Sequence, residues 1–565
     1  MQQVEPAGPA APESALKIVV IDDDPTGSQT VHGCPLLLRW DAASLNLALR
    51  QPSPLLFLLA NTRALDPDQA RQRLRQICRA LGPALAAAQA EGVIDRWLVV
   101  SRGDSTLRGH FPLEMEVISE ELGPFDATLL VPAFLEGGRT TLAGVHRLHG
   151  QPVHETAFAR DGLFGFGSSF LPAWVEEKSG GRIAATAVQR LDLAVLEGPA
   201  PALGQRLAGL EGNVVVAVDA TEPRHLSALA AAVRAVQLAP ALKEPLAAGG
   251  FVPEAAAVAA CFSVAGPDTV TGAAAADRSA AVTVAADTVA ADPSIPATIS
   301  ATPADQVIST DTGTVDRPTV DRPTVASTTS AGPPRRFLFQ SAAGLIAALA
   351  DLPPQPLEGA ALAALRRSGV DGPLPGLVLV GSHVLLADRQ LGRLLAEERC
   401  GGVEVAVAKV QRLLEGPLPE PLLASLESGW LEQLRQQLAA GRTPVLHTSR
   451  GELRCRDDAE RRRLGLVLAG SMARLVAALA PQLGYVISKG GITTHTLLAD
   501  GLEQAAVRLQ GQLLPGLSLV LVDLPAERPG ELPAALPVLT FPGNLGDDDT
   551  LLEAWRCMEG GAPLT

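Results

Sequence analysis

Two α/β domains with largely parallel sheets are the fold that this 565-residue sequence predicts. Short apolar runs alternate with helix-spaced segments in both halves of the chain, the pattern of parallel strands joined by crossover helices. Composition agrees: 47% of residues are hydrophobic, mainly Ala, Leu and Val, and only 3% are aromatic, which suits layers packed with small aliphatics. The apolar runs also end repeatedly in glycine, hydroxyl or charged residues, and open α/β sheets gather polar chemistry at the carboxyl ends of their strands. The length exceeds what one hydrophobic core serves.

The first half opens with Ile18–Ile21, four apolar and mostly β-branched residues that read as a buried strand. Asp22, Asp23 and Asp24 follow directly, then Pro25-Thr26-Gly27-Ser28, a turn at which a helix could start. Three adjacent carboxylates repel one another unless a cation or a hydroxyl-rich ligand sits among them; the plain alternative is a solvated acidic turn. Leu55–Ala60, Trp97–Val100, Thr128–Val131 and Val214–Val218 read as further strands, with a helix over Asp66–Ala90. After the Trp97 strand comes SRGDSTLRGH, Ser101–His110. Its Arg102, Asp104, Ser105, Thr106 and Arg108 suit a carboxylate bound by arginine and hydroxyls bound by aspartate. A helix capped by Asp104 or Ser105 is the structural alternative. Val131–His146, VPAFLEGGRTTLAGVH, repeats the arrangement with Arg139, Thr140 and Thr141.

From Val252 to Pro334 the chain turns to Ala, Thr, Val, Pro, Ser and Asp, with a tandem Thr-Val-Asp-Arg-Pro at Thr314 and Thr319. Such a segment buries too little apolar surface to offset ordering entropy and reads as disordered. Regular structure resumes with a strand at Arg335 and a helix over Ala342–Leu352. The second region offers strands at Leu377–Val380, Gly402–Val407, Pro444–Thr448, Tyr485–Ser488 and Leu517–Val522. Exits at Gly381-Ser382, Thr448-Ser449 and Lys489-Gly490-Gly491 line one rim with amides and hydroxyls, a surface that holds phosphates. Lys489 itself reads equally as a phosphate contact or as a surface lysine.

The net charge of −15 argues against a nucleic-acid or anionic-membrane partner. The six cysteines are scattered, without CxxC or zinc spacing, as free thiols of a reducing cytosol would be. The N-terminus lacks the basic start and apolar core of a signal peptide, and runs such as Ala342–Ala350 are too short to cross a bilayer, so a cytoplasmic protein is expected. No G-x-x-x-x-G-K-[ST] loop occurs.

These motifs resemble the four-carbon acid sugar kinases, two-domain enzymes that phosphorylate tetronate-type acids with ATP. Asp23-Asp24-Pro25-Thr26-Gly27 is similar to their DDxTG signature, Arg102–Gly109 to K/R-x-DSTLRG, and Pro132–Gly144 to PAF…GR-T…G. Gly381-Ser382, Gly490-Gly491-Ile492-Thr493 and Pro542–Gly546 resemble the elements of their nucleotide half. Val384 and Ile492 depart from the family pattern, as does Phe541 before the late glycine loop.

The resemblance implies an N-terminal acid-sugar-binding domain over residues 16–352, interrupted by an insertion at 252–334. A disordered N-terminus (1–15) precedes it; a linker (353–375) and a C-terminal nucleotide-binding domain (376–565) follow, with the active site in the cleft. It assigns Asp24 and Asp104 to catalysis, one of them as base, and Asp23, Thr26, Arg102, Ser105, Arg108 and Arg139 to the acid sugar. Ser382, Gly490, Gly491, Ile492, Thr493 and Gly543 go to the nucleotide. ATP and Mg²⁺ are the implied cofactors, with no metal ligand assigned, and a homodimer is a candidate assembly. Two readings compete. Asp22-x-Asp24-x-Thr26 also fits the DxDxT of haloacid-dehalogenase-type phosphatases, with Asp22 as nucleophile. A non-catalytic homologue that binds nucleotide or sugar acid without turnover is the other. His110, His146 and His495 read as packing or helix-start residues.

Overall fold

The computed structural model describes residues 16–28, 30–238, 335–353, 355–370, 372–451, 455–525 and 535–560. The expected disordered N-terminus and the insertion 252–334 lie outside these residues.

A sheet of 15 strands runs through both halves of the chain. The first half contributes β1 (Leu16–Asp22), β2 (Cys34–Leu37), β3 (Leu55–Leu59), β4 (Arg96–Arg102), β5 (Ala127–Val131), β6 (Gln189–Leu191), β7 (Val214–Val218) and β8 (Phe337–Ser341). They lie in the order β2-β3-β1-β4-β8-β5-β7-β6, all parallel. The second half contributes β9 (Gly376–Val380), β10 (Cys400–Val405), β11 (Thr443–Thr448), β12 (Tyr485–Lys489), β13 (Ala506–Leu514), β14 (Leu517–Asp523) and β15 (Ala535–Phe541). Their order is β10-β11-β9-β12-β15-β14-β13, parallel as far as β15 and antiparallel beyond. An antiparallel pairing of β13 with β2, from Ala506 opposite Leu37 to Leu509 opposite Cys34, joins the two halves.

The parallel strands read as continuous apolar runs because both of their faces are covered. Ile18 and Val20 pack with the helices Pro223–Leu238 and Ala343–Leu349, while Val19 and Ile21 pack with Pro67–Ala90 and Leu113–Leu122. Each such residue, fully buried, contributes about 1.5–3 kcal/mol. Helix Pro67–Ala90 starts where the sequence says it should: the Asp66 carboxylate accepts from the Gln69 amide at 2.9 Å, and Pro67 fills the first turn. Its buried Leu74, Ile77, Leu81 and Leu85 recur at helical spacing on one face.

Strand order fixes where the chemistry goes. From β1 the chain moves out to β2 and β3 and then crosses back to β4, and from β9 it moves out to β10 and β11 before crossing to β12. Each half therefore has a topological switch point, between β1 and β4 and between β9 and β12, where open α/β sheets form ligand crevices.

Some expectations need correcting. No helix follows Asp24: the Thr26 amide turns back onto Asp24 Oδ1 at 2.8 Å, and from there the chain passes on to β2. Asp104 and Ser105 cap no helix either, since the next one begins at Leu113. The stretch read as a linker holds a short helix, Gly359–Ala363, whose Leu362 is fully buried. Four strands of the large sheet were not anticipated: β2, β6, β13 and β15. β13 alternates buried Val507 and Leu509 with exposed Ala506 and Arg508, the period-two pattern of an antiparallel strand. The helical stretch Glu460–Gln482 is long and apolar enough by composition to cross a membrane, yet 56% of its most apolar window is buried inside the fold.

Candidate active site

The β1/β4 register places Asp22 directly opposite Arg102, so the first acid of the trio meets the first cation of the second motif at the strand ends. Arg102 is buried, its Nη1 3.5 Å from Asp22 Oδ1 and 3.0 Å from Asp23 Oδ1. Asp23 is also gripped by Arg63, with Nε to Oδ2 at 3.0 Å and Nη2 to Oδ1 at 2.8 Å. Arg63 lies within 3.7 Å of Asp24 and 3.9 Å of Asp104 as well, and joins three of the four carboxylates. Asp104 accepts from Arg108 Nε at 2.7 Å and from the Thr106 hydroxyl, and Arg108 lies over the Phe158 ring at 4.9 Å.

The cations sort the acids. Burial pushes the Asp24 and Asp104 carboxyls up, but Arg63 and the Thr26 hydrogen bonds at Asp24, and Arg108 and Arg63 at Asp104, hold both below the usual carboxylate range. Asp22 is fully buried, and burial raises it to about 7 despite Arg102; its Oδ2 has no partner among the described residues. A Cβ at Gly27 would overlap the Asp22 carboxylate, so nothing the size of a phosphate reaches it from that side. The position does not suit a phosphatase nucleophile.

The remaining predicted residues of this half lie around the cluster. Thr26 and Ser105 are buried, and the Ser105 carbonyl contacts His146 Nε2 at 2.7 Å. Arg139 bonds the Gly137 carbonyl through Nη1, and its buried Nε is unpartnered among the described residues. Asp23, Asp104, Arg108, Glu114, Gln340 and Ser341 line a cleft beside the β4 and β8 ends. His110 and His146 are buried and bonded to carbonyls, which agrees with packing roles.

In the second half, the ends of β9, β12 and β15 share one level: Val380 stands opposite Lys489, and Lys489 opposite Phe541. Ser382, Gly490, Thr493 and Gly543 consequently converge. A Cβ on Gly490 would lie 3.2 Å from the Ser382 amide, one on Gly543 would lie 2.6 Å from Ser382 Oγ, and one on Gly381 would overlap Thr493. Gly490 has φ +119°, a conformation open to glycine. Ile492 and Val384 stand out at the rim, each 43% exposed. Lys489 is no surface lysine: it is fully buried.

The two switch points face each other across the cleft. A Cβ on Gly491 would come within 2.7 Å of Asp24 Oδ2, so the aspartate of the first half touches the glycine pair of the second.

Residues that the sequence reading passed over include Arg63, just beyond β3, and Glu114. The buried Glu114 accepts from Thr62 Oγ1 at 2.6 Å and Ser101 Oγ at 3.0 Å, and burial together with Asp23 raises it to about 7. Arg450, past the end of β11, reaches the Val380 and Ser382 carbonyls and bonds Asp388 at 3.0 Å.

Two family models match in sequence. One, described as a sugar-binding N-terminal domain, covers residues 18–254; the other, described as a nucleotide-binding C-terminal domain, covers residues 377–551. The chain belongs to the four-carbon acid sugar kinase family. Among its relatives in that family, a D-erythronate kinase of Heliobacterium modesticaldum is 30% identical over 152 residues, which are 26% of this chain and 32% of that protein. A D-threonate kinase of Bordetella bronchiseptica is 31% identical over 196 residues, 34% of this chain and 44% of that protein. The matched stretches thus span less than half of these relatives' lengths. A solved structure from Salmonella typhimurium LT2 shares the fold, with a TM-score of 0.54, 15% identity, and 95% of this chain and 98% of that chain covered.

Proposed function

We propose that this chain is an ATP-dependent kinase that phosphorylates a hydroxyl of a four-carbon acid sugar of the threonate or erythronate type. The observation that carries the reading is the contact between Asp24 and Gly491, which sets an acidic, arginine-held pocket against a glycine-rich loop. The names of the two relatives supply the substrate class.

Phosphoryl transfer asks the protein for in-line positioning and charge neutralisation rather than covalent chemistry. Asp24 and Asp104, both held ionised, orient the acceptor hydroxyls. Asp24, the nearer to the glycine pair, takes the proton of the hydroxyl that attacks. Arg108 and Arg139 bind the substrate carboxylate; Arg102, enclosed by Asp22 and Asp23, instead holds the acids in place. Ser382, Gly490, Gly491, Thr493 and Gly543 offer amides and hydroxyls to the phosphates. The residues build no Mg²⁺ cage of their own: among those described, no three His, Cys, Asp or Glu side chains are placed to hold an ion. Mg²⁺ carried on nucleotide phosphates needs none.

The test is ADP formation by the purified protein on a panel of erythronates, threonates and 3-oxo-tetronates, with phosphate release followed in parallel. One acid should give ADP, and Asp24→Asn should lower kcat by about 10²–10⁴-fold. Phosphate release from sugar phosphates without ATP would replace this reading with hydrolysis.

A further inference from the structure

Lys489 ends β12 and is fully buried, and among the described residues no carboxylate pairs with it. A lysine in such a place is costly, since burial drives its amine down to about 7, with the nearby Arg450 adding to the effect. Volume alone would be filled as well by methionine. The lysine differs in two contacts: Nζ donates to the Pro542 carbonyl at 3.0 Å and stands 3.8 Å over the Phe541 ring.

Both contacts are to the strand end that launches the Pro542–Gly546 turn. The backbone around Lys489 ties the other two loops. Its carbonyl accepts from the Gly381 amide at 3.1 Å, and the next amide, of Gly490, donates to the Phe541 carbonyl at 2.9 Å. One fully buried residue thus reaches all three glycine-bearing segments.

We propose that Lys489 is a positioning residue of the nucleotide site: its Nζ, anchored on Pro542 and Phe541, holds the Pro542–Gly546 turn level with Gly381-Ser382 and Gly490. The proposal rests on the kinase reading for its consequence but not for its geometry, and the test separates the two. Hydrogen exchange on the ligand-free protein compares wild type with Lys489→Met, which keeps the volume and removes the donor. Lys489→Gln, which keeps a donor, serves as the milder variant. Exchange at Asn544–Gly546 should rise about tenfold in Lys489→Met, less in Lys489→Gln, with β9 and β12 unchanged. In turnover, KM for ATP should rise about tenfold while kcat and the KM for the acid stay within about threefold. Unchanged exchange in the turn, or a uniform rise through β9, β12 and β15, would overturn the proposal. A wild-type protein that uses no ATP while the variants loosen the turn as expected would remove the kinase reading and leave the positioning role standing.

Discussion

Arg63 governs the acid cluster, because its guanidinium touches Asp23 and lies within ion-pair range of Asp24 and Asp104. With both candidate catalytic carboxyls held below their usual range, their protonation affects turnover only below that range. Arg63→Met removes a favourable partner from each of them. The acid limb of kcat/KM should then move up by about one pH unit or more, with activity at neutral pH lower by about tenfold or more, read from a pH–rate profile. Arg63 was hidden in the sequence for a physical reason. The strand ends that stood out carry glycines and clustered charges, whereas Arg63 leaves β3 in Ala60-Asn61-Thr62-Arg63, a stretch with one charge and no glycine. Only the folded register shows that β3 lies beside β1.

Glu114 gives a stability prediction with a definite sign. Burial raises its carboxyl from 4.5 to about 7, so the folded state binds the proton more tightly than the unfolded chain. The stability this contributes is fully present below about pH 4.5 and is lost as pH rises through about 7. Glu114→Gln cannot ionise. Between pH 5 and pH 8 the wild type should lose more stability than Glu114→Gln, by up to about 3 kcal/mol in urea denaturation.

At the scale of elements, the site is a property of strand order. The continuous apolar runs and their polar exits were legible, and β1, β3, β4, β5, β7, β9, β11, β12 and β14 all stand where the sequence puts strands. What periodicity does not carry is which strands are neighbours. β8 arrives from a distant part of the sequence to lie between β4 and β5, and β2, four residues long, declares itself only by its pairing with β3 and β13. After Asp24, where a helix could have started, the carboxylate takes up the Thr26 amide and hydroxyl within a turn. The loops that meet across the cleft can be tested by one methyl group. Gly491→Ala puts a Cβ 2.7 Å from Asp24 Oδ2 and forces that carboxylate aside. The expected result is a kcat lower by about 10- to 100-fold with ATP affinity within about threefold, since misplacement of a reacting group costs rate rather than binding. Equal losses in kcat and in ATP affinity, measured by titration, would place Asp24 outside the reacting centre.

At the scale of the whole molecule, the described chain ends on either side of residues 239–334 lie away from the working edge of the sheet. Asp22, Arg102, Ser341, Val380 and Lys489 all mark the carboxyl edge of the sheet. The chain leaves the first half after helix Pro223–Leu238, where Gln237 accepts from Arg96, the first residue of β4. It returns at Arg335, which bonds Asp126 at 2.9 Å, one residue before β5. Departure and return are both at the amino edge of the sheet, opposite the cleft. On its return the chain is fixed at once, because β8 is held on both sides by β4 and β5. Replacing residues 242–330 by a short Gly/Ser linker should therefore leave kcat and both KM values within about twofold, because closure entropy changes only slowly with the length of the connecting chain. The melting temperature should stay within a few degrees. A variant that folds, by circular dichroism and melting, but turns over at a tenth of the wild-type rate or less would show that residues 242–330 take part in catalysis.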